Sequence, residues 1–373
     1  MKPVVPPSTI GMLGGGQLGR YALMAARVMG YRTMVLDPDP AAPAGGIADV
    51  HLVAGFDDEH ALERMSKECA VVTTEFENPP AATLEQLERH TTVRPSAAAV
   101  AIAQNRVAEK RFLFDNGLPV GPYDVIDRVD APIRVDFPAR LKTARLGYDG
   151  KGQRVVRDAA EMRAAWTLMG GVTCVLEQAL SLDLEVSVVC ARTVSGAFAA
   201  YPVAENVHVG GILDLTVVPA RISDALTARA TGLALTIADA LDYVGVLAVE
   251  FFVVRGELMV NEIAPRPHNS GHWTLDVAQT SQFAQQVRAV CGASLGDTSL
   301  RAGGSAMVNL LGDLWDDGEP PWNNVLSDPR AALHLYGKAA PRRGRKMGHL
   351  TLWDEDPSTA ATRALGARRL LAE

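Results

Sequence analysis

With 373 residues, 48% of them hydrophobic and 21% charged, the chain can bury more than one core, and we expect two or three domains. Its formal net charge of -7 argues against a general nucleic-acid-binding protein, and it has no apolar stretch of the roughly 18 residues that a membrane-spanning helix needs. The four cysteines are widely spaced and form no CxxC pair, which indicates neither a zinc site nor a disulfide framework and fits a cytoplasmic location.

An α/β unit is predicted at the start of the chain, with a glycine-rich turn directly after its first strand. Residues 9–13 and 32–36 have the pattern of strands, residues 20–29 that of a helix, and residues 14–19 form a complete GxGxxG. With Asp37 after the second strand, the segment satisfies the dinucleotide-binding fingerprint and, taken alone, would suggest an NAD-binding oxidoreductase. Alternatively, the glycines only permit a tight turn and leave its amides free for another ligand.

Acidic and amide side chains follow the next predicted strand, residues 70–74. Glu75, Glu77 and Asn78 stand at its carboxyl end, where open α/β sheets bind ligands. A capped loop before a helix at residues 81–89 would explain each of them equally well. The chain then becomes helical, and we place a domain boundary near residue 104.

The segment after this boundary carries signals for nucleotide binding. A strand at residues 137–142 ends in Lys142, and a glycine-rich loop follows at residues 146–153. Backbone amides of such a loop, together with a lysine, can close over phosphates. It is not a Walker A loop, because the Gly-Lys-Ser/Thr sequence and the following helix are missing. A flexible hairpin without a ligand is the alternative.

Two further strands have polar residues that could pair with adenine and ribose. Residues 173–180 end in an acid and an amide, Glu177 and Gln178, and the returning strand at residues 184–189 carries Glu185. We expect these residues to form one edge of the nucleotide site.

Glu250 and Glu262 each interrupt an apolar run that has the composition of a buried strand. The runs at residues 244–254 and 258–264 flank a turn at residues 255–257, and a hairpin centred on Gly256 places the two glutamates opposite each other. Opposed Cβ atoms lie roughly 5 Å apart, and like charges at that spacing destabilise a sheet. A divalent ion would remove this repulsion, and two oxygen ligands suit Mg²⁺. Alternatively, both glutamates stand at a solvated end of the sheet.

The order of these features resembles that of the ATP-grasp superfamily. Within it, the chain is most similar to the N5-carboxyaminoimidazole ribonucleotide synthases of purine biosynthesis, over nearly its whole length. The resemblance is carried by six motifs in order: GGGQLGR (14–20), EFEN (75–78), GYDGKGQ (147–153), ENVHVGGIL (205–213), NEIAPRPHNSGHW (261–273) and GRKMGHL (344–350).

The resemblance implies an α/β (α+β) ATP-grasp fold in three parts. We expect an N-terminal Rossmann-like pre-ATP-grasp domain at residues 1–104 and a central ATP-grasp domain at residues 105–300, with a lid subdomain at about 110–182. A small C-terminal domain would occupy residues 301–373. A homodimer in the cytoplasm is also implied, with small molecules rather than nucleic acid or a membrane as partners.

The implied reaction is the ATP-dependent joining of bicarbonate to 5-aminoimidazole ribonucleotide through carboxyphosphate. It gives N5-carboxyaminoimidazole ribonucleotide, ADP and phosphate, with Mg²⁺ held by Glu250 and Glu262. The residues implied to bind ATP are Arg106, Lys142, Gly147, Tyr148, Asp149, Gly150, Lys151, Gly152, Gln153, Glu177, Gln178, Ala179, Leu180, Glu185, His208, Asn261 and Glu262.

The phosphate of the ribonucleotide needs cations, which the resemblance assigns to Arg266, Lys338 and Arg345, with His268 nearby. Gln17 and Glu75 are expected to face the same substrate. The residues implied to act in catalysis are Tyr148, Asp149, Lys151, Arg266, His268 and Lys338. Asp149 would accept the proton lost by the exocyclic amine or orient that amine. Without the resemblance, residues 342–346 would be interpreted as a solvated basic turn.

Other functions are compatible with parts of the pattern. Spacing alone fits any ATP-grasp ligase that forms an acylphosphate, and a formate-using glycinamide ribonucleotide transformylase is the nearest alternative. The oxidoreductase remains an alternative of a different class. A nucleotide sensor without activity is a third, against which the two glutamates argue.

Overall fold

The computed structural model describes residues 3–147 and 152–372, in which three β-sheets carry most of the fold. The first sheet has five strands, the second four and the third nine. The first is parallel and the other two are antiparallel, with helices between the strands. This mixture agrees with the predicted α/β (α+β) class.

The first part of the chain forms the parallel sheet and the helices around it. Its elements are β1 (Thr9–Leu13), α1 (Gln17–Val28), β2 (Arg32–Leu36), β3 (Val50–Leu52), α2 (Glu59–Glu68), β4 (Val71–Thr74), α3 (Ala81–Glu88), β5 (Thr92–Val93) and α4 (Ala97–Ala103). The strand order is β3-β2-β1-β4-β5. Because β1 and β4 are parallel neighbours, the glycine-rich turn and Glu75 meet at the carboxyl ends of these two strands.

The two predicted strands at residues 9–13 and 32–36 are confirmed, but the first helix begins three residues earlier than predicted, at Gln17. Gly19 therefore lies inside the first helical turn rather than in the loop. A Cβ atom there would lie 2.7 Å from the carbonyl oxygen of Gly14, so the close approach requires glycine.

The second part forms the four-stranded sheet, in the order β6-β9-β7-β8. Its elements are α5 (Arg106–Asp115), β6 (Tyr123–Ile126), β7 (Ala139–Thr143), β8 (Gln153–Val156), α6 (Ala159–Leu168) and β9 (Cys174–Gln178). Apolar residues of the sheet pack against α6 in a core of their own. These strands fall within the predicted lid, whose limits stay a prediction.

The third sheet contains strands from the rest of the chain. Its elements and the adjoining helices are β10 (Leu184–Arg192), β11 (Phe198–Ala200), β12 (Ala204–Val209), β13 (Ile212–Val218), α7 (Asp224–Ala240), β14 (Gly245–Val254), β15 (Glu257–Ala264), α8 (Thr274–Val277), α9 (Gln282–Val290), β16 (Gly304–Leu311), α10 (Asn323–Leu326), β17 (Ala331–Leu335), β18 (Lys346–Asp354) and α11 (Pro357–Arg369). Single 3₁₀ turns occupy Asn269–Gly271 and Gly312–Trp315.

Strand pairing in this sheet crosses the predicted boundary at residue 301. The order is β15-β14-β10-β12-β13-β16-β18-β17, with β11 added beside β10. Because β16 pairs with β13, the sheet continues from the central part into the C-terminal part. The boundaries near residues 104 and 301 stay predictions.

The alternation along β14 places its glutamate outside the main core. Val249, Phe251 and Val253 are buried in one cluster with residues of α7. Val246 and Ala248 pack on the opposite face of the sheet. Glu250 continues this second face, because successive residues of a strand point to opposite sides.

Within the described ranges, no helix is both long enough and apolar enough to cross a membrane. The cysteines Cys69, Cys174, Cys190 and Cys291 are free and buried. Burial raises the pKa of each thiol. These cysteines are therefore packed residues of the interior.

Candidate active site

The two glutamates face each other across neighbouring strands of the nine-stranded sheet, as predicted. Glu250 of β14 pairs with Glu262 of β15, although the turn between the strands consists of Arg255 and Gly256 alone, with φ of 52° and 77°. A bulge at Asn261 explains both facts, because it adds one residue to β15 and shifts the register beside Glu262. The predicted pairing is right, but the turn is shorter than residues 255–257.

The bulge directs two successive side chains to the same carboxylate. Asn261 Nδ2 donates to Glu250 Oε2 over 3.4 Å, and Asn261 Oδ1 is a buried acceptor without a hydrogen-bond partner in the described part of the chain. Burial, and then the charge of Glu262, raises the pKa of Glu250 to about 7. Two carboxylates and an amide oxygen form an all-oxygen donor set, which fits Mg²⁺.

Two histidines and a third glutamate surround Glu250. His268 Nε2 lies 3.2 Å from Glu250 Oε1, and His208 Nδ1 lies 3.0 Å from Glu185 Oε2. Burial lowers the pKa of His268 well below its usual range. For His208, burial also lowers the pKa, but Glu185 and Glu250 together outweigh it and the net shift is upward.

The tautomer of His268 follows from its neighbours. The Ser270 backbone N–H donates to His268 Nδ1 over 3.3 Å, so Nδ1 carries the lone pair and the proton of the neutral ring is on Nε2. This N–H points to Glu250. In this structure His268 is therefore a neutral donor to Glu250, and its predicted place beside the substrate phosphate stays a prediction.

Helix α5 holds the bulged part of β15 with one face. Arg106 NH1 lies 3.1 Å from Glu262 Oε2. Glu109 Oε1 accepts from the Ile263 backbone N–H over 2.5 Å, and Lys110 Nζ donates to the carbonyl of the bulged residue over 3.1 Å. The three helix residues are three and four positions apart and so share a face. The sequence analysis identified Arg106 but missed Glu109 and Lys110, for which helical spacing from Arg106 was the available signal.

A buried carboxylate connects this helix with the four-stranded sheet. Glu177 Oε2 of β9 lies 2.5 Å from Lys142 Nζ of β7, and its Oε1 lies 3.2 Å from Lys110 Nζ. Burial raises the pKa of Glu177, but Lys142 and Lys110 outweigh it and lower the pKa to about 2. Glu177 is therefore ionised and shared by two lysines.

The other predicted nucleotide residues lie around this carboxylate. Gln178 is the last residue of β9 and Ala179 follows it, and their backbone N–H groups donate to the carbonyls of Pro122 and Pro138. The partly exposed Leu180 follows. Gly147 accepts from Arg106 NH2 over 3.4 Å, the Gly152 carbonyl accepts from the Thr143 N–H, and Gln153 pairs with Lys142. The predicted residues Tyr148, Asp149, Gly150 and Lys151 lie outside the described residues.

Protein carboxylates bind the amides of the glycine-rich turn after β1. The Gly15 N–H donates to Asp37 Oδ2 over 2.7 Å. The Gly16 and Gly19 N–H groups donate to the two oxygens of Glu75 over 2.7 and 2.9 Å. In the NAD interpretation, pyrophosphate would take the place of Glu75 at these amides, and Asp37 would bind the ribose. Gln17 begins the helix beside them and is partly exposed.

Arg266, the predicted phosphate ligand, is paired with Glu77 from the first part of the chain. Its Nε and NH2 groups donate to the two oxygens of Glu77, the first over 2.8 Å, and its NH1 donates to the Pro267 carbonyl over 3.0 Å. Burial lowers the pKa of Arg266, but Glu77, Glu75 and Glu262 raise it more. Glu77 was noted at the strand end but not predicted as a site residue.

The predicted cations of the C-terminal part lie on the connection between β17 and β18. Lys338 Nζ donates to the Lys346 carbonyl over 2.7 Å and lies 5.3 Å from the centre of the Tyr336 ring. Arg345 NH1 donates to the Ala340 carbonyl over 2.9 Å. The charge of Lys346 lowers the pKa values of Glu77, Glu250 and His268, so this lysine also belongs to the site. Only its place in a basic run signalled it in the sequence.

A second group of titratable residues lies between the first and last parts of the chain. His334 Nε2 lies 3.0 Å from both oxygens of Asp276, and its ring stacks on His349 with centroids 4.5 Å apart and an interplanar angle of 13°. Both histidines and the aspartate are close enough to suggest a metal site. A metal ion bound by a histidine lies close to the plane of its ring, however. Because these two rings are stacked and nearly parallel, one ion cannot lie near both planes beside the ring nitrogens unless a ring rotates. His349 and the nearby His272 are fully buried.

Comparisons with known proteins agree with this architecture. The chain matches the model of the ATP-grasp domain at residues 111–283. It matches the ribonucleotide synthetase preATP-grasp domain at residues 8–104 and the phosphoribosylaminoimidazole carboxylase C-terminal domain at residues 305–363.

Curated relatives are similar over nearly their whole length. The N5-carboxyaminoimidazole ribonucleotide synthase of Bacillus subtilis is 42% identical, with 93% of this chain and 92% of the relative covered. That of Pseudomonas aeruginosa is 41% identical, with 97% and 99% covered. Both alignments include all three parts of the fold.

Solved structures superpose equally well. The N5-carboxyaminoimidazole ribonucleotide synthetase of Thermus thermophilus has a TM-score of 0.90 at 44% identity, covering 98% of this chain and 99% of that one. The enzyme of Aspergillus clavatus, in complex with ADP and 5-aminoimidazole ribonucleotide, has a TM-score of 0.87 at 28% identity, with 98% and 99% covered. The chain belongs to the N5-carboxyaminoimidazole ribonucleotide synthase family of ATP-grasp ligases.

Proposed function

We propose that the protein uses ATP and bicarbonate to carboxylate 5-aminoimidazole ribonucleotide, giving N5-carboxyaminoimidazole ribonucleotide, ADP and phosphate in purine biosynthesis. The observation that carries the chemistry is the pair Glu250 and Glu262, which the bulge at Asn261 brings together beside the lysine-bearing sheet. Such a set suits phosphoryl transfer, in which charge neutralisation and alignment do most of the work. The choice of substrate rests on the relatives.

The ATP site extends from the four-stranded sheet to the bulged hairpin. Lys142 would contact the phosphates, Gln178 to Leu180 would contact the base, and Glu185 with His208 would border the nucleotide. Glu250 and Glu262 would hold Mg²⁺, which neutralises phosphate charge when bound. Arg106 contacts both Glu262 and the Gly147 carbonyl of the glycine-rich loop, so it connects the metal ligands with that loop.

The ribonucleotide would lie between the first part of the chain and Arg266. A phosphate group would have to displace Glu77 from one edge of the Arg266 guanidinium, because that carboxylate accepts from both Nε and NH2 there. His268, Lys338 and Arg345 would complete the phosphate environment. Gln17 and Glu75 would face the substrate at the turn after β1.

Carboxyphosphate would form from bicarbonate and be attacked by the exocyclic amine, or release CO₂ beside it. The intermediate is short-lived in water, so the loop should close before it forms. We assign this closure to Tyr148, Asp149 and Lys151, with Asp149 accepting or orienting the amine proton. A lysine at position 151 would act on bicarbonate as a point charge rather than as a planar fork.

We also propose a homodimer in the cytoplasm and domains at residues 1–104, 105–300 and 301–373. The continuous nine-stranded sheet supports a C-terminal domain that is attached rigidly to the central one. Sedimentation of the purified protein tests the dimer.

The activity is tested by ATP-dependent phosphate release with 5-aminoimidazole ribonucleotide, in bicarbonate-supplemented and in rigorously degassed buffer. Release that needs both the ribonucleotide and bicarbonate is the expected result. Release with formate and glycinamide ribonucleotide instead would overturn the substrate assignment and keep the ligase class. The absence of nucleotide turnover in every combination would overturn the ligase itself.

A further inference from the structure

Two buried lysines share a single carboxylate between the four-stranded sheet and helix α5. Lys142 and Lys110 both contact Glu177, and the side chains of Lys110, Lys142 and Glu177 are 4%, 10% and 12% exposed. Ionised groups at this depth need partners, since a buried charge left alone is strongly unfavourable. Counting charges, the group has one positive charge more than the carboxylate neutralises.

The two lysines differ in how firmly they are held. Lys110 lies on α5 and also donates to the carbonyl of Asn261, so it has two partners on two different elements. Lys142 lies near the end of β7 and contacts the oxygen of Glu177 that Lys110 does not. Lys142 can therefore leave Glu177 while Lys110 remains.

We propose that Lys110 is a positioning residue that keeps Glu177 neutralised when Lys142 moves from this carboxylate to the phosphates of ATP. The proposal rests on the phosphate contact assigned to Lys142 in the proposed function. In this scheme ATP binding is an exchange of partners, in which Lys142 gives up one carboxylate oxygen for phosphate oxygens.

Without Lys110, the same exchange would leave a buried carboxylate unpaired. Lys142 would then stay on Glu177 and bind ATP less well. Removing Glu177 as well should release Lys142 again, because no buried carboxylate would hold it. A role of Lys110 in packing alone predicts the opposite, since a second substitution in the same cluster would add further damage.

The test compares Lys110→Met, Glu177→Gln and the double variant in full-length protein, with Lys67→Met as the control. Lys67 pairs with Glu63 on the exposed surface of α2, a helix that packs against the five-stranded sheet. The readout is the affinity for a non-hydrolysable ATP analogue with Mg²⁺, measured by titration calorimetry, together with the circular dichroism spectrum. Analogue binding requires no carboxylation, so its outcome is independent of whether the substrate assignment holds.

We expect Lys110→Met to weaken analogue binding about tenfold or more, in the range of couplings within one charged network. The double variant should recover most of that loss, and Lys67→Met should bind like the parent. Parental affinity in Lys110→Met, or a double variant no better than Lys110→Met, would overturn the proposal. If Lys110→Met fails to fold, Lys110→Arg replaces it: arginine keeps the charge, so parental binding is expected, and a tenfold loss would overturn the proposal.

Discussion

Glu109 provides a quantitative test of how α5 supports the active site. Its side chain is buried, it accepts the Ile263 backbone N–H, and burial raises its pKa to about 7 although Lys110 opposes the shift. Glu109→Gln keeps an oxygen for that N–H but removes the ionisation. We expect this substitution to stabilise the protein at pH 8 much more than at pH 5.

The expected size follows from the two pKa values, 4.5 in the unfolded chain and about 7 in the folded protein. A raised carboxyl pKa destabilises the folded state progressively above pH 4.5, and the effect is complete above pH 7. At 1.36 kcal/mol per pKa unit, ionised Glu109 disfavours folding by about 3 kcal/mol at pH 8 and by about 1 kcal/mol at pH 5. The stabilisation by Glu109→Gln should therefore grow by about 2 kcal/mol between these pH values.

The assay is urea denaturation of the parent and Glu109→Gln at pH 5 and pH 8, in EDTA so that divalent ions do not alter the charge of Glu262. Glu85→Gln, on the exposed face of α3, is the control for loss of a surface carboxylate. A stabilisation that is equal at both pH values, or larger at pH 5, would show that folding does not raise the pKa of Glu109 and would refute the reasoning.

Three further predictions concern the ligands and the glycine-rich turn. Glu262→Gln should lower ATP-dependent phosphate release about a hundredfold or more, because the amide lacks the negative charge with which the carboxylate binds Mg²⁺, and calorimetry should show weaker Mg²⁺ binding. Arg266→Lys should raise the KM for the ribonucleotide about tenfold with little change in the KM for ATP, since a lysine cannot form the two-pronged contact; equal effects on both KM values would contradict this. Gly16→Ala should lower the melting temperature and the activity, because its Cβ would collide with the Glu75 carboxylate, whereas Gly232→Ala, with open space in α7, should stabilise the protein by about 1 kcal/mol.

Most of the fold could be predicted because its strands have distinctive local patterns. The runs around Glu250 and Glu262 are long, apolar and separated by a single glycine-containing turn, so their pairing was accessible from spacing. The sheet order was not, because the pairing of β13 with β16 joins segments almost 90 residues apart and depends on tertiary packing. The helix start at Gln17 was missed because a glycine at position 19 is typical of a turn, and only the close approach to Gly14 explains it.

Site residues could be predicted where a charged residue stands in a sequence context that is otherwise apolar or strand-like. Acidic residues in apolar runs and a lysine at a strand end are such signals. Glu109 and Lys110 gave no comparable signal, since charged residues on a helix are usually exposed. The bulge at Asn261 was also hidden, and the correct pairing of the glutamates was predicted from a turn that is in fact one residue shorter.

The groups that we assign to ligands are already paired with protein groups in this structure. Arg266 is paired with Glu77, Lys142 with Glu177, and Arg106 with Glu262. Each pairing avoids a buried charge or donor without a partner.

The free energy of binding is therefore the difference between the contacts that the ligand makes and the protein contacts that it replaces. This arrangement favours the correct ligands over weak anions, because a small anion would have to displace a carboxylate held by two hydrogen bonds at Arg266. It also explains why so many acidic residues stand beside cations in a site for anionic substrates. They keep the cations oriented and neutralised until a phosphate replaces them.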